Sequence, residues 1–257
     1  MDEFERMLEE ELRNSKMMEA LKNSNIQIDQ DKLNNFKSII SELVSFRNKY
    51  EKKRSQLRSL AEKEIVNTQY SKGGEAIHRG YYCPSPVLDL IVGGLKRGKL
   101  FKRTPDFGRY SYEYCFDAND RLVHVKGVNE FTTPDSNYDE EYLLYDGNII
   151  LGVEFRHTGD IVAVSRCTYE NNHIVKYEWS LCSLPQYADL YIEEYVYKNN
   201  QLSEVKTVKV NPLIEIYEEQ KYKVELNENG KIVRLIGGFI KNGVWEQDYI
   251  ININPKK

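Results

Sequence analysis

Tyr112-Glu113-Tyr114-Cys115-Phe116 leads into Asp117-Ala118-Asn119-Asp120 and returns as Arg121-Leu122-Val123-His124-Val125. Aromatic and non-aromatic residues alternate, turn-forming residues follow, and apolar residues come back in alternation. That order spells an antiparallel hairpin, because strand side chains repeat every second residue and Asn, Asp and Gly tolerate tight corners. The same phrase recurs downstream. Tyr142 to Tyr145 turns at Asp146-Gly147-Asn148, Val153 to Phe155 turns at Thr158-Gly159-Asp160, and Tyr169 turns at Asn171-Asn172. Tyr195 to Tyr197 turns at Asn199-Asn200, Tyr222 to Leu226 at Glu228-Asn229-Gly230, and Phe239 at Asn242-Gly243. Turns near 119, 146, 158, 171, 199, 229 and 242 are spaced by 27, 12, 13, 28, 30 and 13 residues, one or about two units of a common repeat. Seventeen of the 19 tyrosines lie at or beyond Tyr81, which assigns most of them to cross-strand packing rather than to a stacking platform for sugars or bases.

Upstream the pattern changes period. Phe4, Leu8, Leu12, Met18 and Leu21 mark an amphipathic helix over 2–22. From Asp31 to Val66 there is neither Gly nor Pro. Phe36, Leu43, Tyr50 and Leu57 fall seven apart, and Ile39, Phe46 and Leu60 fill alternate positions, with Lys53 intruding. A heptad of this kind suits a coiled-coil seam or a helical hairpin packed on itself or on the β-region. The expected fold is therefore α+β: a helical hairpin or coiled-coil arm over 1–68, a linker over 69–86, and an antiparallel β-meander of repeated hairpins over 87–257. The basic run Arg47, Lys49, Lys52, Lys53, Arg54 and Arg58 reads as a solvated helix face before a nucleic-acid contact.

Charge is unevenly distributed. Residues 1–70 are neutral, 71–110 carry +5 and 111–257 carry −9, an asymmetry that can steer a partner. Asp135, Asp139, Glu140, Glu141, Glu193, Glu194, Glu218 and Glu219 are the acidic candidates for a partner-binding face. Ordinary solvated edge charge is the competing reading. The run Val87–Val92 looks like a short buried strand. It leads into Gly93-Gly94-Leu95-Lys96-Arg97-Gly98-Lys99-Leu100, the frame of a phosphate-binding loop with Leu100 where Ser or Thr should ligate magnesium. Pro105 follows closely, so no helix N-terminus is expected to hold phosphates there. Lys96, Arg97, Lys99, Lys102 and Arg103 remain anion-binding candidates.

Catalytic signatures are not found. His78, His124, His157 and His173 share no metal-ligand spacing and read as surface residues. Asp117-x-Asn119-x-Arg121 begins like a calcium loop, but Arg121 replaces an oxygen ligand. The sequence thus implies no metal, no cofactor and no enzyme. Cys83, Cys115, Cys167 and Cys182 form no C-x-x-C pair, which favours reduced thiols and a cytoplasmic setting. The acidic start lacks a signal-peptide h-region, and no run approaches the roughly 20 apolar residues of a membrane span.

The hairpin at 112–125 resembles the YD repeats of RHS-type proteins and the β-hairpin repeats of bacterial immunity and antitoxin proteins in polymorphic toxin systems. The likeness covers about residues 110–245. It implies a protein-binding module that neutralises a cognate basic toxin by direct occlusion, and carries over no catalytic residue. The alternatives are a structural or scaffold protein of a phage or secretion assembly, dimerised through residues 31–66, and a nucleotide or anion binder using Gly93–Lys99.

Overall fold

The computed structural model describes residues 30–103, 108–128, 138–211, 216–241 and 243–253. Among these described residues thirteen strands form one antiparallel sheet. They are β1 (Asn67–Lys72), β2 (Lys99–Phe101), β3 (Ser111–Phe116), β4 (Leu122–Val128), β5 (Asp139–Asp146), β6 (Ile149–Phe155), β7 (Ile161–Glu170), β8 (His173–Leu181), β9 (Leu190–Lys198), β10 (Gln201–Asn211), β11 (Ile216–Leu226), β12 (Ile232–Lys241) and β13 (Val244–Asn252). From β3 to β13 each strand lies beside the next in sequence, and β1 then β2 extend the sheet beyond β3. Among the described residues three α-helices accompany it: α1 (Gln30–Tyr50), α2 (Arg54–Glu64) and the single turn α3 (Leu88–Ile91).

The α+β division into a helical arm and a β-region is corrected here. One large sheet dominates, and α1 and α2 lie on it. Phe36, Ile39, Ile40, Leu43, Leu57 and Ala61 share a core with Tyr142, Val153, Phe155, Ile161, Val164, Ile192, Val208 and Val210. The error has a physical source. An apolar stripe at helical spacing records that a helix buries one side, not what buries it. The heptad is also interrupted, because the helix breaks across Glu51–Lys53 and Lys53 adopts φ −112° and ψ 13°. The basic run turns partly inward: Arg47 donates to the Cys182 carbonyl at 3.1 Å, and Arg54 and Arg58 bind Glu140 at 2.8 and 2.6 Å. The helix expected over 2–22 lies outside the described residues.

The opposite face of the sheet is crossed by an irregular strap, residues 74–98. Val87 packs there on Cys167, Tyr177, Tyr195 and Val205, while Tyr82 packs on Tyr114 and Phe116. The expected strand at Val87–Val92 is α3 instead. Ser85 Oγ accepts from the backbone N–H groups of Val87 and Leu88 at 3.1 and 2.8 Å, which starts the turn. A short, largely apolar run such as this, broken by Asp89, cannot distinguish a strand from a helical turn by periodicity alone. Residues 69–72, placed in the linker from sequence, form part of β1 and pair with β3. Among the described residues no helix is long and apolar enough to cross a membrane.

The corners follow local chemistry. Asn171 and Asn172 both have positive φ, 50° and 65°, as do Asn199 and Asn200, 53° and 60°. Each pair joins adjacent strands by a two-residue loop whose twist matches the sheet. Asn200→Ala is expected to cost about 1 kcal/mol, since a Cβ-bearing residue without Asn's local hydrogen bonding disfavours this region. Asn200→Gly should stay near the wild type in urea unfolding; equal losses for both variants would contradict the turn-based account.

An apolar cavity under the strap

The acidic candidates do not assemble into one face. Adjacent strand residues point to opposite sides of a sheet, so Glu140 meets the α2 arginines while Glu141 meets the strap. Glu140 also lies 3.4 Å from His124, which is buried rather than at the surface. Glu193 is fully buried and accepts from Ser85, Tyr191 and Tyr195. Glu219 is buried and bound by Lys32 at 3.2 Å and Lys206 at 2.7 Å. Asp139 is half-buried and accepts from the His157 N–H at 2.7 Å. Glu194 is exposed with Lys206 at 3.8 Å, and Glu218 has Lys209 at 3.7 Å. Asp135 lies outside the described residues.

The basic candidates divide similarly. Arg97 is a clamp within the strap, donating to Asp89 at 3.2 Å and to the carbonyls of Cys83, Tyr81 and Ser85. Lys96 reaches Glu75 at 2.9 Å. Lys99, Lys102 and Arg103 are exposed on β2 and the bend after it. The glycines of this loop allow two backbones to touch. A Cβ at Gly74, where φ is +82°, would stand 2.4 Å from the Lys96 carbonyl oxygen, and one at Gly98 would stand 2.8 Å from that of Gly73. Close chain packing therefore accounts for Gly98, whereas a Cβ at Gly93 would meet nothing within 4 Å.

Two connected features were invisible in the sequence. The first is an ionic network beneath the strap. Arg79 donates Nε to Glu141 Oε2 at 2.9 Å and Nη2 to Oε1 at 2.7 Å, and Nη2 also reaches Ser165 Oγ at 2.8 Å. Burial alone would raise the Glu141 carboxyl, but the Arg79 guanidinium and His78 outweigh it and hold it well below the usual carboxylate range. His78 Nε2 stands 3.0 Å from Glu141 Oε2, and Nδ1 stands 2.7 Å from the Tyr177 hydroxyl. Burial lowers the His78 pKa and outweighs the pull of Glu141, so the ring is neutral. A carboxylate can only accept, which puts the His78 proton on Nε2 and makes the Tyr177 hydroxyl the donor to Nδ1.

The second feature is a cavity of about 430 Å³ between the strap and β8–β10. Leu88, Val92 and Leu95 line it from the strap, and Trp179, Leu181 and Tyr191 from the sheet. His78 and Tyr177 join it to the ionic network. It reaches solvent past Ala76, which is exposed, and Leu181, 40% exposed. Two of its lining residues hold polar atoms that are buried without any hydrogen-bond partner: the Trp179 indole Nε1 and Asp189 Oδ1. Burial raises the Asp189 carboxyl above its usual pKa. Buried polar atoms are nearly always satisfied, because an unmet donor or acceptor costs about 1–3 kcal/mol. These two atoms are closed off from the cavity space, but a mostly apolar cavity of roughly 300–1,000 Å³ has by its size and lining the character of a binding site.

No protein-family model matches the chain, and the search of curated proteins finds no similar one.

Proposed function

We propose that this chain is a non-enzymatic binding protein of the immunity or antitoxin kind, which neutralises a cognate toxin by direct occlusion. The observation that carries the reading is the apolar cavity under the strap, open at one side. Binding energy at protein interfaces concentrates where a few side chains fill such desolvated sockets. The hairpin repeats supply the family likeness, and the cavity supplies a place of contact. The acidic clusters support it less, because Glu140, Glu141, Glu193 and Glu219 are buried and bonded within the chain. A reducing cytoplasm suits the four cysteines, all free and buried.

The other readings have less to stand on. Phe36, Ile39, Leu43 and Leu57 of the suggested dimer seam are buried against the chain's own sheet. In the Gly93–Lys99 loop, Lys96 and Arg97 already have acidic partners.

Ala76 is exposed at the cavity mouth, so Ala76→Trp should obstruct it while changing stability by no more than about 0.5 kcal/mol. The protein encoded beside this chain is expected to arrest growth when expressed alone. Co-expression of the wild type should restore growth, and Ala76→Trp should not. A neighbouring product that neither arrests growth nor co-purifies with the chain would overturn the toxin reading. Full rescue by Ala76→Trp would remove the cavity from it.

A further inference from the structure

We infer that the cavity under the strap is a binding site for an uncharged, apolar small molecule of about 17 non-hydrogen atoms. The inference goes beyond the toxin reading, because it rests on the walls and size of the cavity and needs no protein partner.

The walls decide the chemical class. Leu88, Val92 and Leu95 present carbon from the strap, and Leu181, Leu190 and Val210 present it from the sheet. The polar groups at the border are engaged or closed off. Both His78 ring nitrogens are taken, by Tyr177 and Glu141, and the Tyr177 proton is committed to His78. Trp179 Nε1 and Asp189 Oδ1 have almost no accessible surface. Lys209 stands half in solvent, 3.7 Å from Glu218. A charged ligand would lose its hydration there and gain no unopposed counter-ion, which is the costliest kind of burial.

The strap holds the space open. Ser85 is tied to Glu193 on the sheet, and Arg97 donates back to the Ser85 carbonyl. Leu88, Val92 and Leu95 lie between those two residues, on a segment closed at its base. An apolar space whose walls are held apart stays dry and accepts apolar guests.

Size decides the source. An apolar cavity of ~150 Å³ admits benzene, or ~25 Å³ per carbon, so the 430 Å³ found here has room for about 17 non-hydrogen atoms. Tryptophan, the largest side chain, supplies about ten, and the space left over would deprive the walls of contacts. A partner has to insert more than one side chain to fill the cavity, whereas one free molecule does it alone.

The test titrates the full chain, with no partner present, with benzene, naphthalene and biphenyl, and with 2-naphthoate as a charged counterpart. Binding is followed through the indole N–H resonances of 15N-labelled protein. Trp179 lies in the cavity wall. Trp245, the other tryptophan, donates to the Lys221 carbonyl at 3.0 Å and serves as the control, and Trp179→Phe assigns the two. Naphthalene is expected to shift Trp179 and leave Trp245 in place. It should bind roughly tenfold more tightly than benzene, and biphenyl more tightly again, because all three fit and each adds buried apolar area. 2-Naphthoate should bind at least about tenfold more weakly than naphthalene. Val92→Trp and Leu95→Trp fill the space from the strap, and each should weaken biphenyl by about tenfold or more while the amide spectrum stays that of a folded chain. Two filling variants are used so that one failing to fold leaves the other to decide. No binding of any uncharged probe, affinities that do not rise with size, equal binding of 2-naphthoate, or biphenyl affinity unchanged in a folded filling variant would overturn the inference. The two readings fail separately. Growth rescue by a chain that binds none of the probes overturns this one alone, and probe binding without rescue overturns the toxin reading alone.

Discussion

Arg79→Met is expected to destabilise the protein by about 3–5 kcal/mol, the loss typical when one partner of a buried ion pair is removed and the other charge stays. Arg79 and Glu141 are both almost wholly enclosed, with side chains 4% and 5% exposed. Removing the guanidinium leaves the carboxylate with only His78 and Ser165 as donors. Space offers no escape, because the site is fitted closely around Gly152: a Cβ there would stand 2.1 Å from Glu141 Oε1 and 2.4 Å from Ser165 Oγ. The second variant that separates charge from packing is Arg79→Met combined with Glu141→Leu. It removes both charges and keeps apolar volume, so it should recover much of the loss. It should stop short of the wild type, since His78 Nε2 then loses its acceptor, at about 1–3 kcal/mol. Urea unfolding reads both. A loss under about 1 kcal/mol for the single variant would mean that solvent reaches Glu141 and that the pair contributes little, as exposed pairs do.

The strand corners were legible because their cause is local. Asn171-Asn172 and Asn199-Asn200 take positive φ for reasons contained in those residues. The destination of α1 and α2 was not legible, and the fold class was misjudged for that reason. Phe36, Ile39 and Leu43 carry the same spacing whether a helix or a sheet lies opposite. Reading neighbouring carboxylates as one cluster failed through strand geometry. Glu140 and Glu141 are adjacent in sequence and separated by the thickness of the sheet. The cavity was beyond reach of sequence reasoning because it joins residues 76–95 to residues 177–211, and no spacing rule links them. Trp179 and Asp189 look like any strand tryptophan and any loop aspartate until the strap is laid across them.

Glu154 supplies the second large effect, and its sign depends on pH. It lies on β6, partly buried on the strap side, and its carboxyl is pushed up to about 8. Burial is the main cause, the carboxylates of Glu141 and Asp139 add to it, and Arg79 and Arg156 offset only part. In the unfolded chain the same group ionises near 4.5. Below that pH both states hold the proton and there is no cost to folding. Between 4.5 and about 8 the unfolded state gains from ionising while the folded state cannot, so stability falls as pH rises. Above about 8 the penalty is constant. Glu154→Gln removes the ionisation and should therefore stabilise the protein at pH 9, by on the order of 2–4 kcal/mol after allowance for local relaxation, and do little at pH 4.5. Glu140 and Glu141 act in the opposite direction, since their folded carboxyls lie below the unfolded value. Their contribution is present above 4.5 and lost as the solution is acidified. They are common to both proteins, so the difference between variant and wild type isolates Glu154. Urea unfolding at pH 5, 7 and 9 should show that difference growing with each step. A difference that stays flat across the three would mean that Glu154 ionises in the folded protein as freely as in the unfolded one.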